Sequence, residues 1–215
     1  MKLASEGYPY IIIFAATTIV ALLLGGKWMV IAPFVITVFM FYFFRDPERE
    51  TPEGEGFFIS PADGRIILIK DVSNDMDRGF IEISIFMSPF NVHVNRAPCD
   101  GKIKNIQHNK GKFMAAYKDQ ASFKNENIEM TLDTKYGDIL VRQVAGYVAR
   151  RAVCRANTGD SLKRGERYGI IKFSSRLDVY LPKDTAIKVK LGDRVRAGET
   201  IIGVIEVRSL RFKNS

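Results

Sequence analysis

Cysteine and histidine are scarce, with two of each in 215 residues. Cys99 and Cys154 lie far apart and form no Cys-x-x-Cys, which argues against a disulfide framework or a zinc knuckle and fits a reducing, cytoplasm-facing domain. No block of five or more Lys/Arg occurs, and no basic run is interleaved with aromatics. The formal charge of +8 therefore points away from nucleic acid and leaves an anionic membrane or an acidic small molecule as partner. A Gly-x-Ser-x-Gly elbow is also missing. The second half shows no amphipathic helix of three turns, and Phe113 to Asp119 is the one short candidate.

Apolar residues crowd toward the N-terminus. Ile11 to Leu24 and Trp28 to Phe44 are uncharged runs separated by Gly25-Gly26-Lys27, each a little short of the ~20 residues that span a bilayer. Tyr8, Tyr10 and Trp28 flank them, and Phe41-Tyr42-Phe43-Phe44-Arg45 closes the second as an aromatic belt followed by a cation. Residues 1–45 thus read as a membrane-associated helical hairpin, spanning or dipping into one leaflet. Lys2, Arg45 and Arg49 outnumber Lys27 at the turn, so both ends are expected on the cytoplasmic face. A cleaved signal peptide leaves the second run unexplained, and a buried helical pair would carry polar faces.

Residues 46–56, charged and holding both Pro and Gly, read as a linker. Beyond it the period becomes two. Ile81, Ile83 and Ile85 alternate with Glu82 and Ser84. Similar strands are expected at Arg65 to Lys70, Ile128 to Leu132, Asp138 to Ala145, Gly169 to Phe173, Leu177 to Leu181, Ala186 to Lys190 and Ile201 to Glu206. Residues 57–215 are therefore expected to form one mostly β body, a sandwich or distorted barrel. Ser60 to Ile67 weakly echoes Leu191 to Ile202, each a turn-plus-strand unit of the biotinyl- and lipoyl-like kind.

Three loops carry candidate chemistry: Asp63 in Pro61-Ala62-Asp63-Gly64, His93 in Asn91-Val92-His93-Val94-Asn95-Arg96, and Ser175 in Ser174-Ser175-Arg176. An Asp, a His and a Ser are the minimum for base-assisted serine chemistry. Each also has an ordinary explanation: Asp-Gly is a turn dipeptide, His93 alternates with valines as a strand residue would, and Ser-Ser before a strand is unremarkable. His108 reads as an exposed turn residue. Cys154 sits among arginines that would lower a thiol pKa, although a buried inert cysteine is the commoner case.

Taken in order, the segments Glu6-Gly7-Tyr8-Pro9, Phe44-Arg45-Asp46-Pro47, the Pro61 turn, the His93 segment, Gln143 to Arg151, Gly165 to Gly169 and Ser175 to Pro182 resemble the short, prokaryotic-type phosphatidylserine decarboxylase family along nearly the whole chain. The resemblance implies a proenzyme that cuts itself at Ser174-Ser175 into a large subunit, 1–174, and a small one, 175–215, whose first residue becomes a pyruvoyl group. That group would take the substrate amine as a Schiff base and release phosphatidylethanolamine and carbon dioxide, with no metal required. It further implies that His93 moves the proton and Asp63 orients it, and that Arg96, Arg150, Arg151 and Arg176, with Arg142 and Lys172, are candidates to meet the anionic head group. Longer relatives have a second histidine where Arg96 stands, and the family usually has Gly where Ser174 stands, which points to slower or differently strained processing.

Within the resemblance, an archaetidylserine decarboxylase is a substrate variant, and a homo-oligomer is compatible with it. From the residues alone, two other readings stay open. One is a membrane-anchored serine hydrolase with Ser175, His93 and Asp63 as a standing triad. The other is a non-catalytic biotinyl-like adaptor, which lacks the carrier lysine such domains need.

Overall fold

The computed structural model describes residues 2–25, 27–72, 79–111, 125–146, 152–172 and 175–206. Arg150, Arg151, Ser174 and the Phe113 to Asp119 segment lie outside them. In chain order the elements are β1 (Lys2–Leu3), a 3-10 turn (Ser5–Gly7), α1 (Tyr8–Leu24), α2 (Lys27–Phe43), β2 (Arg45–Asp46), β3 (Phe57–Ile59), β4 (Gly64–Val72), β5 (Phe80–Met87) and β6 (Val94–Arg96). There follow β7 (Gly101–Asn109), β8 (Asn127–Thr134), β9 (Gly137–Ala145), β10 (Ala152–Cys154), β11 (Ser161–Leu162), β12 (Arg167–Ile171), β13 (Ser175–Pro182), β14 (Ala186–Ile187), β15 (Arg194–Val195) and β16 (Ile201–Val204).

The two apolar runs form packed helices. Pro9 in the first turn of α1 removes an N–H that has no intrahelical partner. With the 3-10 turn, the first helix runs 20 residues, Ser5–Leu24, long and apolar enough to cross a membrane; the second has 17. Pairing of β1 with β2 pins the chain entering the hairpin to the chain leaving it, so both ends emerge together.

The body is mostly β, built on a curled, antiparallel eight-stranded sheet in the order β11-β7-β8-β9-β13-β5-β4-β15. Ile83, Ile85, Val141, Leu177, Val179 and Leu181 cover its inner face and form the main core. Two three-stranded sheets, β10-β12-β6 and β14-β16-β3, complete the body. A second core cluster joins Ile11, Met40, Phe43 and Phe44 of the hairpin segment to Val92, Val94 and Ile170, so the hairpin base is packed into the body.

Each of the eight expected strands has a counterpart, although β14 stops at Ile187 and β16 at Val204, and Phe173, the expected end of the Gly169 strand, lies outside the described residues. The two echoing segments lie against each other: Arg194 pairs with Arg65 and Val195 with Gly64, while Gly198 N–H donates to Ser60 O and Ser60 N–H to Thr200 O. Two expectations change. His108 sits on the nine-residue β7 opposite Ile128 rather than in a turn, because polar residues on both faces of that strand hide its period. Glu82 and Ser84 alternate with the isoleucines as expected, yet they too are buried, since Arg176 on β13 supplies partners for them.

Candidate active site

Ser175 opens β13 between two strand ends, paired in register with Met87, the last residue of β5, and Ala145, the last residue of β9. It is fully buried, and its hydroxyl donates to the Met87 thioether at 3.5 Å, a weak acceptor. From Met87 the chain enters a tight turn in which Asn91 Oδ1 accepts from Ser88 N–H (2.9 Å) and Ser88 Oγ–H (2.8 Å). That turn delivers His93, whose backbone carbonyl accepts from Ile171 N–H at 3.2 Å. Ile171 ends β12, the strand that runs toward the Ser174-Ser175 bond. His93 therefore stands beside the strand arriving at that bond, and Met87 beside the strand leaving it.

The His93 ring is fully buried and lies on Phe43, the last residue of α2, with centroids 4.1 Å apart and planes tilted by 31°. Its Nδ1 is 2.9 Å from Asn91 O. A carbonyl can only accept, so Nδ1 carries the proton and Nε2 presents its lone pair. Nε2 is buried and has no hydrogen-bond partner among the described residues. Burial lowers the ring's pKa to about 4 and the Arg45 cation adds to the shift, against the opposing Asn91 hydrogen bond, so the imidazole is neutral at pH 7.

Asp63 does not orient His93 in this structure. Its carboxylate takes Arg49 Nη2 on both oxygens, at 2.9 and 3.1 Å, and Oδ1 also accepts Ala197 N–H at 2.8 Å. Burial raises its pKa more than Arg49 lowers it. The orienting partner of His93 is the carbonyl of Asn91. Nor do Ser175, His93 and Asp63 stand as a hydrogen-bonded triad, because each is bonded elsewhere.

The arginines divide in the same way. Arg96 is buried and donates to Gly165 O and Pro47 O, both at 2.9 Å, with Asp46 at 3.5 Å, so it clamps the linker to the turn before β12. Arg176 is 1% exposed and bonds Asp178 (2.5 Å), Glu82 (3.2 Å) and Ser84 (2.7 Å) on the sheet face opposite Ser175, with Nη1 unpartnered among the described residues. Arg142 pairs with Glu129 and Tyr180. Strand alternation places Arg176 across the sheet from its neighbour Ser175, so its guanidinium belongs to an internal ion network and not to a head-group pocket. Burial raises the pKa of Cys154, against the opposing hydrogen bond to Ala156 O, and the Asp160 carboxylate adds to the rise.

Four residues around the site escaped the sequence reasoning: Phe43, Asn91, Asn95 and Gln143. Gln143 carried a detectable signal. The inward row of β9 reads Ile139, Val141, Gln143, Ala145, which puts one amide in a core row of apolar side chains. Phe43 was visible only as part of the aromatic belt, and Asn91 only as a turn residue.

A family model described as phosphatidylserine decarboxylase matches residues 36–203. Among curated relatives, the phosphatidylserine decarboxylase proenzyme of Citrifermentans bemidjiense is 50% identical over 211 residues, covering 94% of this chain and 96% of the relative. The proenzyme of the same name from Geobacter sp. is 49% identical over 211 residues, and that from Syntrophus aciditrophicus 45% over 205, both with the same coverage.

Proposed function

Because the chain belongs to the phosphatidylserine decarboxylase family, we propose that it is a proenzyme that cleaves itself at Ser174-Ser175 and decarboxylates phosphatidylserine, or another serine phospholipid, at a membrane surface. The observation that carries this reading is the placement of Ser175. It is a fully buried serine at the crossover between two sheets, next to the loop of a neutral histidine whose Nε2 lone pair has no partner among the described residues. Buried polar atoms left open in this way are rare and mark functional sites.

In the first step Ser175 Oγ adds to the acyl carbon bonded to the Ser175 nitrogen and passes its proton to His93 Nε2. The C–N bond then breaks, the nitrogen takes a proton, and an ester replaces the amide. Removal of the Cα proton of residue 175 expels Oγ with Ser174 as a carboxylate, and water releases ammonia to leave a ketone. The residues present fit the pyruvoyl group that results, since Ser175 is fully buried against the Met87 end of β5 and the strand leading to it is bonded to the His93 carbonyl. Such a ketone supplies the electron sink that decarboxylation at an α-carbon needs and that side chains lack.

His93 holds and returns the proton, and Asn91 keeps its tautomer. Asp63 acts at a distance from this relay by holding Arg49, and with it the linker, against the turn at Ala197. Packing of the hairpin base against Val92 and Val94 supports a body seated at the cytoplasmic face with its site at lipid head-group level.

Intact masses test the reading. Active protein should contain two fragments, and the smaller should be lighter than its serine-started form by one ammonia. A single uncut mass in active material would overturn it. Ser175→Ala should give one uncut chain that releases no carbon dioxide from phosphatidylserine vesicles.

A further inference from the structure

Two fully buried amides, Asn95 on β6 and Gln143 on β9, meet beside Ser175 and have no part in the steps above. Gln143 Nε2 lies 2.8 Å from Asn95 Oδ1 and 3.5 Å from the carbonyl of Val153. A main-chain carbonyl accepts and cannot donate, so the Gln143 atom facing both is the nitrogen, and the Asn95 atom facing it is the oxygen. The NH2 of Asn95 is thereby turned the other way. Among the described residues it reaches only the Met87 sulfur, at 4.0 Å, the same sulfur that takes the Ser175 hydroxyl at 3.5 Å.

The fold makes room for this arrangement. Gly169 pairs across from Asn95, and a Cβ at Gly169 would come within 2.9 Å of Gln143 Nε2 and 2.3 Å of Val153 O. Glycine at this point lets the Gln143 amide cross from the large sheet to the small one. The pair is also under-satisfied: among the described residues Gln143 Oε1 has no partner and the Asn95 NH2 meets no oxygen. Two amides held in an apolar wall, Gln143 with acceptor capacity and Asn95 with donor capacity unspent, are costly unless something arrives to use them.

We propose that Asn95 is a catalytic residue of the self-cleavage step, its Nδ2–H donating to the oxyanion that forms when Ser175 Oγ adds to the neighbouring acyl carbon, with Gln143 as the positioning residue that aims it. This rests on the self-cleavage reading and names the donor that reading lacks. His93 cannot serve, because its Nδ1–H is committed to Asn91 and Nε2 must accept. As the C–Oγ bond forms, the carbonyl π pair moves onto oxygen, where Asn95 meets it; the pair returns when the C–N bond breaks. Donors aimed at developing charge in a water-free site are among the largest contributions to such steps.

The test uses the full-length proenzyme and hydroxylamine, which cuts the ester without needing Cα proton removal and so reports ester formation alone. Asn95→Asp keeps the size and the acceptor for Gln143 but replaces the donor with a carboxylate oxygen. At neutral pH it should release fragment about 10²-fold more slowly than the wild type, the effect of losing one oxyanion donor. As the pH falls, the introduced carboxyl regains a proton to donate, and cleavage should rise toward acid while wild-type cleavage stays level. A folding defect would not produce that inverse profile. Gln143→Leu, which leaves the donor but frees its rotation, should fall between wild type and Asn95→Asp at neutral pH. Wild-type release by Asn95→Asp at neutral pH, or slow release with no recovery in acid, would overturn the proposal. No hydroxylamine-labile ester in the wild type would instead remove the self-cleavage reading beneath it.

Discussion

The hairpin and the Ser175 crossover are inverted relative to each other. Leu24 and Trp28 at the hairpin turn are 84% and 85% exposed, whereas Ser175, His93 and Asp178 are at 0%. Water selects against both arrangements: it disfavours a broad apolar surface on one side and buried charge on the other. In the hairpin the inversion is uniform, and a lipid environment relieves it in one step. In the body it is relieved residue by residue, with ion pairs and amide bonds, and it stays incomplete at His93 Nε2, Gln143 Oε1 and Arg176 Nη1. The two regions touch where the ring of Phe43 covers His93, so one wall of the polar site is made by the end of the apolar helix.

The largest test of this contrast is the ion network. Arg176→Met, made in the uncut Ser175→Ala chain, takes the guanidinium away from the buried carboxylates of Asp178 and Glu82. Breaking a buried pair from one side costs about 3–5 kcal/mol, to be read as a lower urea midpoint. Leu24→Ala at the exposed turn should change body stability by less than about 0.5 kcal/mol. Equal effects from the two substitutions would erase the distinction.

What the sequence made legible follows the same line. The hairpin could be read because an apolar run is a property of adjacent residues. The strands could be read because alternation needs only a short window, and β7 was lost because a register shift after Ile103 breaks the period that would link it to Ile106, its other core-facing isoleucine. The identities Ser175 and His93 were visible, but their partners were not. Asp63 looked like the orienter of His93 by residue type, yet its acceptors are filled by Arg49, fourteen residues upstream, and by Ala197 at the far end of the chain. Partner choice among buried polar groups depends on which strands become neighbours, and that is settled by packing distant in sequence. Asn95 and Gln143 meet only because β6 and β9 belong to different sheets that close over Ser175.

The next test concerns the wall that the two regions share. The folded His93 pKa is about 4 against 6.5 unfolded, so as pH falls below about 6.5 the unfolded chain takes the proton first. Stability should therefore drop between pH 6.5 and 4 by up to roughly 3 kcal/mol from this group and level off below, an acid loss and not an alkaline one. Phe43→Ala admits water to the ring and should raise the His93 midpoint toward 6.5, as followed by its NMR shifts, with a shallower fall in stability over that window. An unmoved midpoint would mean that the hairpin end does not control the desolvation of His93.

The smallest effect is expected inside the hairpin itself. Thr18 and Thr37 place their hydroxyl oxygens 3.2 Å apart across α1 and α2. Each hydroxyl also lies within reach of a carbonyl one turn back, Phe14 O at 2.7 Å and Pro33 O at 2.8 Å, so neither depends on the other for a partner. Hydrogen bonds between helices in a bilayer average about 0.6 kcal/mol, because alternatives within the same helix compete. A double-mutant cycle of Thr18→Val and Thr37→Val, measured by unfolding of the Ser175→Ala chain in lipid micelles, should give a coupling of that size or less. A coupling of several kcal/mol would show that the helices are held by a buried polar contact. The hairpin would then follow the same rule as the body, and its exposed apolar surface would be incidental to its assembly.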